Sequence, residues 1–467
     1  MSEISLIIRT HNEEKWIGEC LRAIQAQTIT SIEVVLVDNC SSDKTVEKAE
    51  NVHPDLTLVE IDEYLPGKAL NKGIRASSGE YFVCLSAHCI PVNDRWLEHL
   101  RRNFDEYDDV AGVYGRQVPI ESSDPIDKRD LLRTFGPEKR IQTQDSFFHN
   151  ANSMVRRDVW DAHPFDEEVT NIEDQIWANE VLDEGYRIVY EPDAAVYHHH
   201  GINQGNDRDR TRSVVRTMEN NVILGEDDLA ATLDANPFDP ADADVVAFIP
   251  IRQQTELGVD SNEALVRETI DAATSATYVD DTFVTTDAEH IADQATAWGA
   301  TDAILRPPEL SKPDVEVVDV YAYTLEQLET TGRYPDLVVT LDITHPFRPP
   351  GFLDDVVQYL VRNGHDTVVP AYPEYRPSWI RKNGDLERLN AEAMRVDREP
   401  VRIGLFSLGT VMYPHIVREG DRLAGDLGVY EVENPLATVE IREREDLKYW
   451  ERLRELPDIL NGDSHGS

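Results

Sequence analysis

Cysteine is scarce. Cys20, Cys40, Cys84 and Cys89 are the only four in 467 residues, and no two of them form a C-x-x-C pair. A disulfide framework is therefore excluded for a large cytoplasmic chain. A cysteine-based zinc centre would need more ligands at closer spacing. Cys84 lies in an apolar strand pattern and reads as core. Long apolar runs are also missing. Val34–Val37 and Val245–Ile249 fall far short of the roughly 20 residues of a membrane helix. The chain opens on a strand-like run, Ile4–Ile8, after one acidic residue. A signal peptide would open on a basic segment and a longer apolar one, so a soluble cytoplasmic protein is expected. Positive charge is short as well: 45 Lys and Arg against 89 Asp and Glu give a formal net charge of −44. That balance excludes nonspecific nucleic-acid binding, because phosphates are repelled over most of the surface. The carboxylates are dispersed rather than gathered in a tail or docking face. Such a surface suits a cytoplasm at molar salt, where repulsion is screened within about 3 Å, and a haloarchaeal source is expected.

What is present is alternation. Ile4–Arg9, Ile32–Val37, Leu56–Ile61 and Tyr81–Leu85 read as strands. Glu13–Ala26, Asp43–Glu50 and Lys68–Ser77 between them read as helices. The pattern weakens after Asp94 and recovers in a helix Asp174–Glu184 and a strand Arg187–Tyr190. Residues Gly225–Asp244 have little apolar periodicity and read as a linker. Strand and helix patterns then restart at Val245 and continue to Thr367–Pro370, without repeating the first half. The expected fold is α/β, with two doubly wound, mostly parallel-sheet domains over residues 1–224 and 245–457 and a frayed tail over 458–467.

In the first half, four polar clusters follow the strands, where a doubly wound sheet places its ligands. They are Arg9–Glu13, Val37–Asp43, Gly67–Gly73 and Leu85–Pro91. Each alone is an ordinary loop or cap; Ser41, Ser42 and Asp43 are common N-cap types. Their order resembles the family 2 glycosyltransferases of GT-A fold, over about Ser2–Gly201. Thr10-His11-Asn12-Glu13 is similar to the family's opening T-x-N-E loop, and Asp38 to its base-contacting aspartate. Gly67–Gly73, with Lys68 and Asn71, resembles the segment beside the diphosphate. Asn150–Ser153, then Glu173-Asp174 and Trp177, resemble the segment ending in the "ED" motif. The resemblance implies a nucleotide-sugar donor held by Thr10, Asn12, Glu13, Asp38, Lys68, Asn71, Ser86 and His88. It also implies Asp174, beside Glu173, as the base that deprotonates an acceptor hydroxyl, with inversion at the sugar. The plain alternative for Glu173 and Asp174 is an exposed first helical turn, capped by Asn171, where acids are favoured anyway.

One departure stands out. The family carries a D-x-D pair after its fourth strand to hold Mg²⁺ or Mn²⁺, whereas this chain has Ser86-Ala87-His88-Cys89. Mn²⁺ accepts imidazole, so His88 with His198 and His200 is one candidate metal set. These two histidines, with His199, are read as a loop past the strand ending at Tyr190. The other reading has His88, Lys68 and Lys72 meeting the diphosphate without a metal.

The second half, over about Val245–Arg454, resembles the acylneuraminate cytidylyltransferases, which activate sugars with CTP. Arg252 is kept, but Gln253–Glu256 stands in place of that family's Gly/Ser/Lys loop. Its late D-x-D metal pair appears as Glu440-Ile441-Arg442. Both losses fall on phosphate and metal handling, so a binding or scaffold domain is expected. Asp287, Arg306, Asp342 and Arg348 are then structural turn residues. The domain would hold an acceptor or form a homodimer, as the resembled family does.

The expected function is transfer of a sugar to a glycan or lipid-linked acceptor, in cell-surface glycoprotein or polysaccharide assembly, with peripheral contact at the inner face of the membrane. A bifunctional enzyme that both activates and transfers, and a non-catalytic nucleotide-sugar-binding scaffold, are the alternatives.

Overall fold

The computed structural model describes residues 3–170, 172–201, 239–252, 259–382, 385–390 and 398–454. Most of the expected linker, the loop Gln253–Glu256, the cap Asn171 and the expected tail lie outside the described residues. The chain divides into two compact units, Met1–Pro237 and Phe238–Ser467. No helix among the described residues is long and apolar enough to cross a membrane.

The first unit is built on strands β1 (Ile4–Thr10), β2 (Ile32–Asp38), β3 (Thr57–Glu60), β4 (Tyr81–Ser86), β5 (Cys89–Pro91), β6 (Val110–Pro119), β7 (Arg140–Gln142), β8 (Asn152–Arg156) and β9 (Arg187–His198). They order as β3-β2-β1-β4-β8-β6-β9-β5, with β7 on β9. The stretch from β3 to β4 is parallel; β8 enters antiparallel between β4 and β6. Side chains alternate along β1. Ile4, Leu6 and Ile8 join one core and Ile7 the other, so the sheet is covered on both faces. The strand order reverses between β1 and β4, and the crevice beyond their C-terminal ends is where such sheets bind ligands.

Two of the expected phosphate-segment glycines serve packing instead. Both lie in the helix Pro66–Arg75. A Cβ at Gly67 would stand 1.9 Å from the Asp166 carbonyl oxygen. At Gly73 it would stand 2.6 Å from methyls of Ile7 and Val37. The missing side chain at Gly73 lets this helix press onto β1 and β2, and that at Gly67 lets it pass close to the Asp166 backbone.

The second unit repeats the plan with β10 (Val245–Ile251), β11 (Asp281–Thr286), β12 (Asp302–Leu305), β13 (Leu337–Thr340) and β14 (Thr367–Glu374), a hairpin β15 (Trp379–Lys382) and β16 (Asp385–Arg388), then β17 (Val401–Gly404), β18 (Thr410–Met412) and β19 (Leu427–Glu431). Its main sheet runs β12-β11-β10-β13-β18-β14-β17, with β19 on β14. Along β10, Val245, Ala247, Ile249 and Ile251 face one core, and Val246 and Phe248 the other. Both units are thus α/β with doubly covered sheets.

The first unit is fastened by a buried amide at the start of β8. Asn152 accepts from Trp96 Nε1 at 3.0 Å and donates to the carbonyls of Arg116 and Ala194 at 3.1 and 2.9 Å. It is fully buried, as is Trp96. Asn152→Leu keeps the branched shape but strands one donor and two acceptors, each costing about 1–3 kcal/mol when buried and unmade. Urea denaturation of the variant should therefore show a loss of at least about 3 kcal/mol. A change under about 1 kcal/mol would contradict the role given to this residue.

Candidate functional site

The parallel register sets the first wall of the site. Thr10 stands opposite Asp38 on β2, and Arg9 opposite Ser86 on β4. Three of the sequence candidates therefore share one sheet edge. Thr10 and Asp38 are buried, and Thr10 Oγ1 has no hydrogen-bond partner. Beyond them the two loops are laced together. Asn12 takes a left-handed conformation (φ 54°), which Asn tolerates better than most residues. Its amide N–H donates to Ser41 Oγ at 2.9 Å, and its Oδ1 accepts from the Ser42 amide at 2.8 Å. The Asp38 carboxylate accepts from the Ser41 amide and hydroxyl. Asp38 thus holds the loop that holds Asn12.

Two donor candidates are placed differently from the expectation. Asn71 is fully buried, and its side chain is taken up by the Phe165 carbonyl (2.8 Å), Glu167 (2.9 Å) and Trp160 Nε1 (2.9 Å). It braces the segment before the Glu173 helix rather than facing a ligand. Lys68 is exposed and ion-paired with Glu63 at 2.7 Å.

Glu173 and Asp174 open the helix Glu173–Asp183, and they do not form an exposed first turn. Trp177 fixes the helix by packing on Phe148 and Phe165, with ring centroids 5.1 and 5.7 Å apart. The residue before it, Ile172, is held at φ 61° with its side chain exposed. A β-branched residue is strained there, as backbone near functional sites often is. Asp174 accepts from the backbone amides of Asn150 (3.1 Å) and Gln175 (2.9 Å). Glu173 is buried and lies 3.6 Å from the Arg9 guanidinium, with Asn150 Nδ2 at 3.5 Å. Loss of hydration pushes both carboxyls above the ordinary range, and for Glu173 the neighbouring Asp174 charge adds to it. Arg9 is held charged against its own burial by Tyr64 and these carboxylates. Sequence reading missed its role; an arginine ending an otherwise apolar buried strand was the available signal.

The histidines meet at the far end of the sheet edge. β9 does not stop at Tyr190 but runs on to His198, which pairs with Cys89 on β5 and Pro119 on β6. This is a correction to the loop reading, and it brings His198 beside His88. The two rings are stacked, with centroids 5.1 Å apart. His200, two residues past the end of β9, has its ring 4.4 Å from the His88 ring. His199 turns the other way, onto Trp16. One ligand atom from each of His88, His198 and His200 lies within 4.8 Å of the others.

A hydrogen-bond chain fixes which ring nitrogens are free. The Ala151 amide N–H donates to His149 Nδ1 at 3.3 Å, so that nitrogen is an acceptor. Gln117 Nε2 donates to the same atom at 3.0 Å. The opposite end of that amide, Oε1, therefore accepts from His198 Nδ1 at 2.7 Å. His88 Nδ1 donates to Glu13 Oε1, also at 2.7 Å. On both rings Nε2 is buried and meets no partner among the described residues. Each unmade buried acceptor costs about 1–3 kcal/mol. Burial and the neighbouring rings keep His198 and His200 neutral, the latter with its pKa lowered to about 3. Burial likewise lowers His149 to about 4. Gln117, 1% exposed, was not singled out from the sequence. A polar residue inside the run Val110–Pro119 was its only trace.

In the second unit a cavity of about 570 Å³ opens beyond the ends of β10 and β13, lined among others by Arg252, Arg306, Asp342, Glu440 and Arg442. Arg306 and Asp342 thus face a cavity and are not simple turn residues. Asp287 stands 4.0 Å from the Arg306 guanidinium. Arg348 does brace the fold, donating to the carbonyls of Leu408, Ser407 and Asp342. Arg442 is paired with Glu440 at 2.7 Å.

Residues 5–163 match Glycosyl transferase family 2. Among similar curated proteins, O-antigen chain rhamnosyltransferase WbaN of Salmonella anatum is 27% identical over 43% of this chain and 67% of its own length. Poly(ribitol-phosphate) beta-N-acetylglucosaminyltransferase TarS of Staphylococcus aureus is 26% identical, over 42% of this chain and 35% of its own length. CMP-N,N'-diacetyllegionaminic acid synthase of Legionella pneumophila is 27% identical over 29% of this chain and 62% of its own length. The chain thus spans two thirds of the first relative and about a third of the second. The match to Glycosyl transferase family 2 falls within the first unit.

Proposed function

We propose that the first unit moves a sugar from a nucleotide-sugar donor to an acceptor hydroxyl by a single displacement with inversion, and that Asp174 is the base. One observation carries this reading: a carboxylate with a raised pKa, held by two backbone amides at the start of a helix anchored by Trp177. Asp174 takes the hydroxyl proton, the oxygen attacks the anomeric carbon, and the nucleoside diphosphate leaves with its bonding electron pair. Glu173 positions the base through Asn150 and Arg9. The edge formed by Thr10, Asn12, Asp38 and Ser86 holds the nucleotide. A divalent cation, when bound, would offset charge developing on the diphosphate. Glu13 and His88 stand in the corresponding region.

The acceptor we propose is a glycan or a lipid-linked precursor in cell-surface glycan assembly, met at the inner face of the membrane. The dispersed acidity supports a halophilic source. The second unit, with the plan of a cytidylyltransferase, supports transfer by binding an acceptor or a second copy of the chain. Arg442 beside Glu440 puts a cation where a magnesium-binding pair would have to stand.

Asp174→Asn should lower kcat by about 10²–10⁴-fold, the range of a lost general base, with little change in the thermal midpoint. Full activity in that variant would contradict the assignment. The base must be ionised to act, and its pKa is raised, so kcat/KM should fall on acidification while the pH is still above the ordinary aspartate range. A rate flat down to that range would contradict the environment described. Incubated with CTP and a nonulosonic acid, the full chain should release no pyrophosphate above background; release would establish a bifunctional enzyme.

A further inference from the structure

We infer that His88, His198 and His200 form a binding site for one divalent cation that favours imidazole nitrogen, such as zinc or cobalt, over magnesium. This deepens the transferase reading, but it rests on atoms that can be tested without turnover. Three ligand atoms within 4.8 Å of one another are a start, and clusters of that kind also occur without function. The hydrogen-bond chain adds more. Glu13 and Gln117 each take the Nδ1 proton of one ring, which leaves Nε2 of His88 and His198 as the ring atoms open to a ligand. Neither lone pair meets a donor, although His198 is fully buried and His88 nearly so. Carboxylate and amide partners behind ligating histidines are the usual arrangement for orienting them on a metal. Two such buried ring nitrogens call for a cation or a hydrogen-bond partner, and none of the described residues supplies one.

The donor set argues which cation. Magnesium takes oxygen ligands and keeps its own waters. Neutral imidazole suits zinc, cobalt, nickel and copper, and manganese least among them. Three protein ligands leave a position open, as sites that meet a substrate do. That position can take a diphosphate oxygen. His199, turned onto Trp16, stays out of the set. Gln117 is a positioning residue: its amide reaches His198 on one side and His149, beside the Asn150 loop that holds Asp174, on the other.

The test uses the full chain, stripped with chelator and dialysed against Zn²⁺, Co²⁺, Mn²⁺ or Mg²⁺. Bound metal per chain is counted after gel filtration, and the visible spectrum of the cobalt form is recorded. About one equivalent of zinc or cobalt should be retained against millimolar Mg²⁺. The cobalt form should show the intense visible band of low-coordinate nitrogen ligation. His88→Ala and His200→Ala should each weaken binding at least about 100-fold. Gln117→Leu should weaken it about 10–100-fold and shift the cobalt band. His199→Ala should leave both unchanged. Thermal melts taken alongside show which variants are folded, and His200, being partly exposed, is the one best placed to tolerate truncation. No uptake of zinc or cobalt by the folded wild-type chain, displacement by Mg²⁺, or uptake unaltered in folded His88→Ala and His200→Ala would overturn the inference. A chain that takes up the metal but consumes no sugar donor would overturn the transferase reading and leave this one standing.

Discussion

The site depends on one buried amide. Gln117 lies inside β6 with both ends of its carboxamide committed, donating to His149 and accepting from His198. Water is excluded there, so neither bond can be exchanged for solvent and the amide cannot turn without breaking both. Its orientation sets the tautomer of His198. On the other side it holds His149, whose backbone neighbour Asn150 presents its amide to Asp174. Asp174 and His198 are therefore linked through one run of hydrogen bonds and backbone. They come from residues more than twenty positions apart in sequence.

The sheet edge also accounts for the missing carboxylate pair. A D-x-D would put two negative charges beside Glu13. Here the position holds His88, whose Nδ1 donates to Glu13, and in the site we propose the other two ligands are His198 and His200.

Much of this was legible in the sequence, for identifiable reasons. β1, β2 and β4 are buried on both faces and bounded by polar loops, so continuous apolar runs mark them. Asp38 and Ser86 end such runs and could be placed at the sheet edge. The end of β9 was not legible, because Glu191, Asp193 and the histidine run read as a polar loop; the strand survives there by pairing with β5 and β6. Asn71 looked like a donor contact because an Asn in a Gly/Lys segment says nothing of which way it faces. Only the fold shows it bonded to Trp160 and Phe165. Gly67 and Gly73 misled in the same way, since close packing and phosphate approach call for the same residue. The cavity residues Arg306 and Asp342 were read as turns because nothing local distinguishes a lining side chain from a capping one.

The central claim is a single displacement driven from Asp174. It is tested most directly by the configuration of the product. The full chain, given a panel of nucleotide sugars and a glycan acceptor, would be followed by NMR at the anomeric proton. A single displacement gives a product whose anomeric configuration is opposite to the donor's, with no accumulated sugar–protein adduct. Retention of configuration, or a covalent glycosyl intermediate, would contradict it.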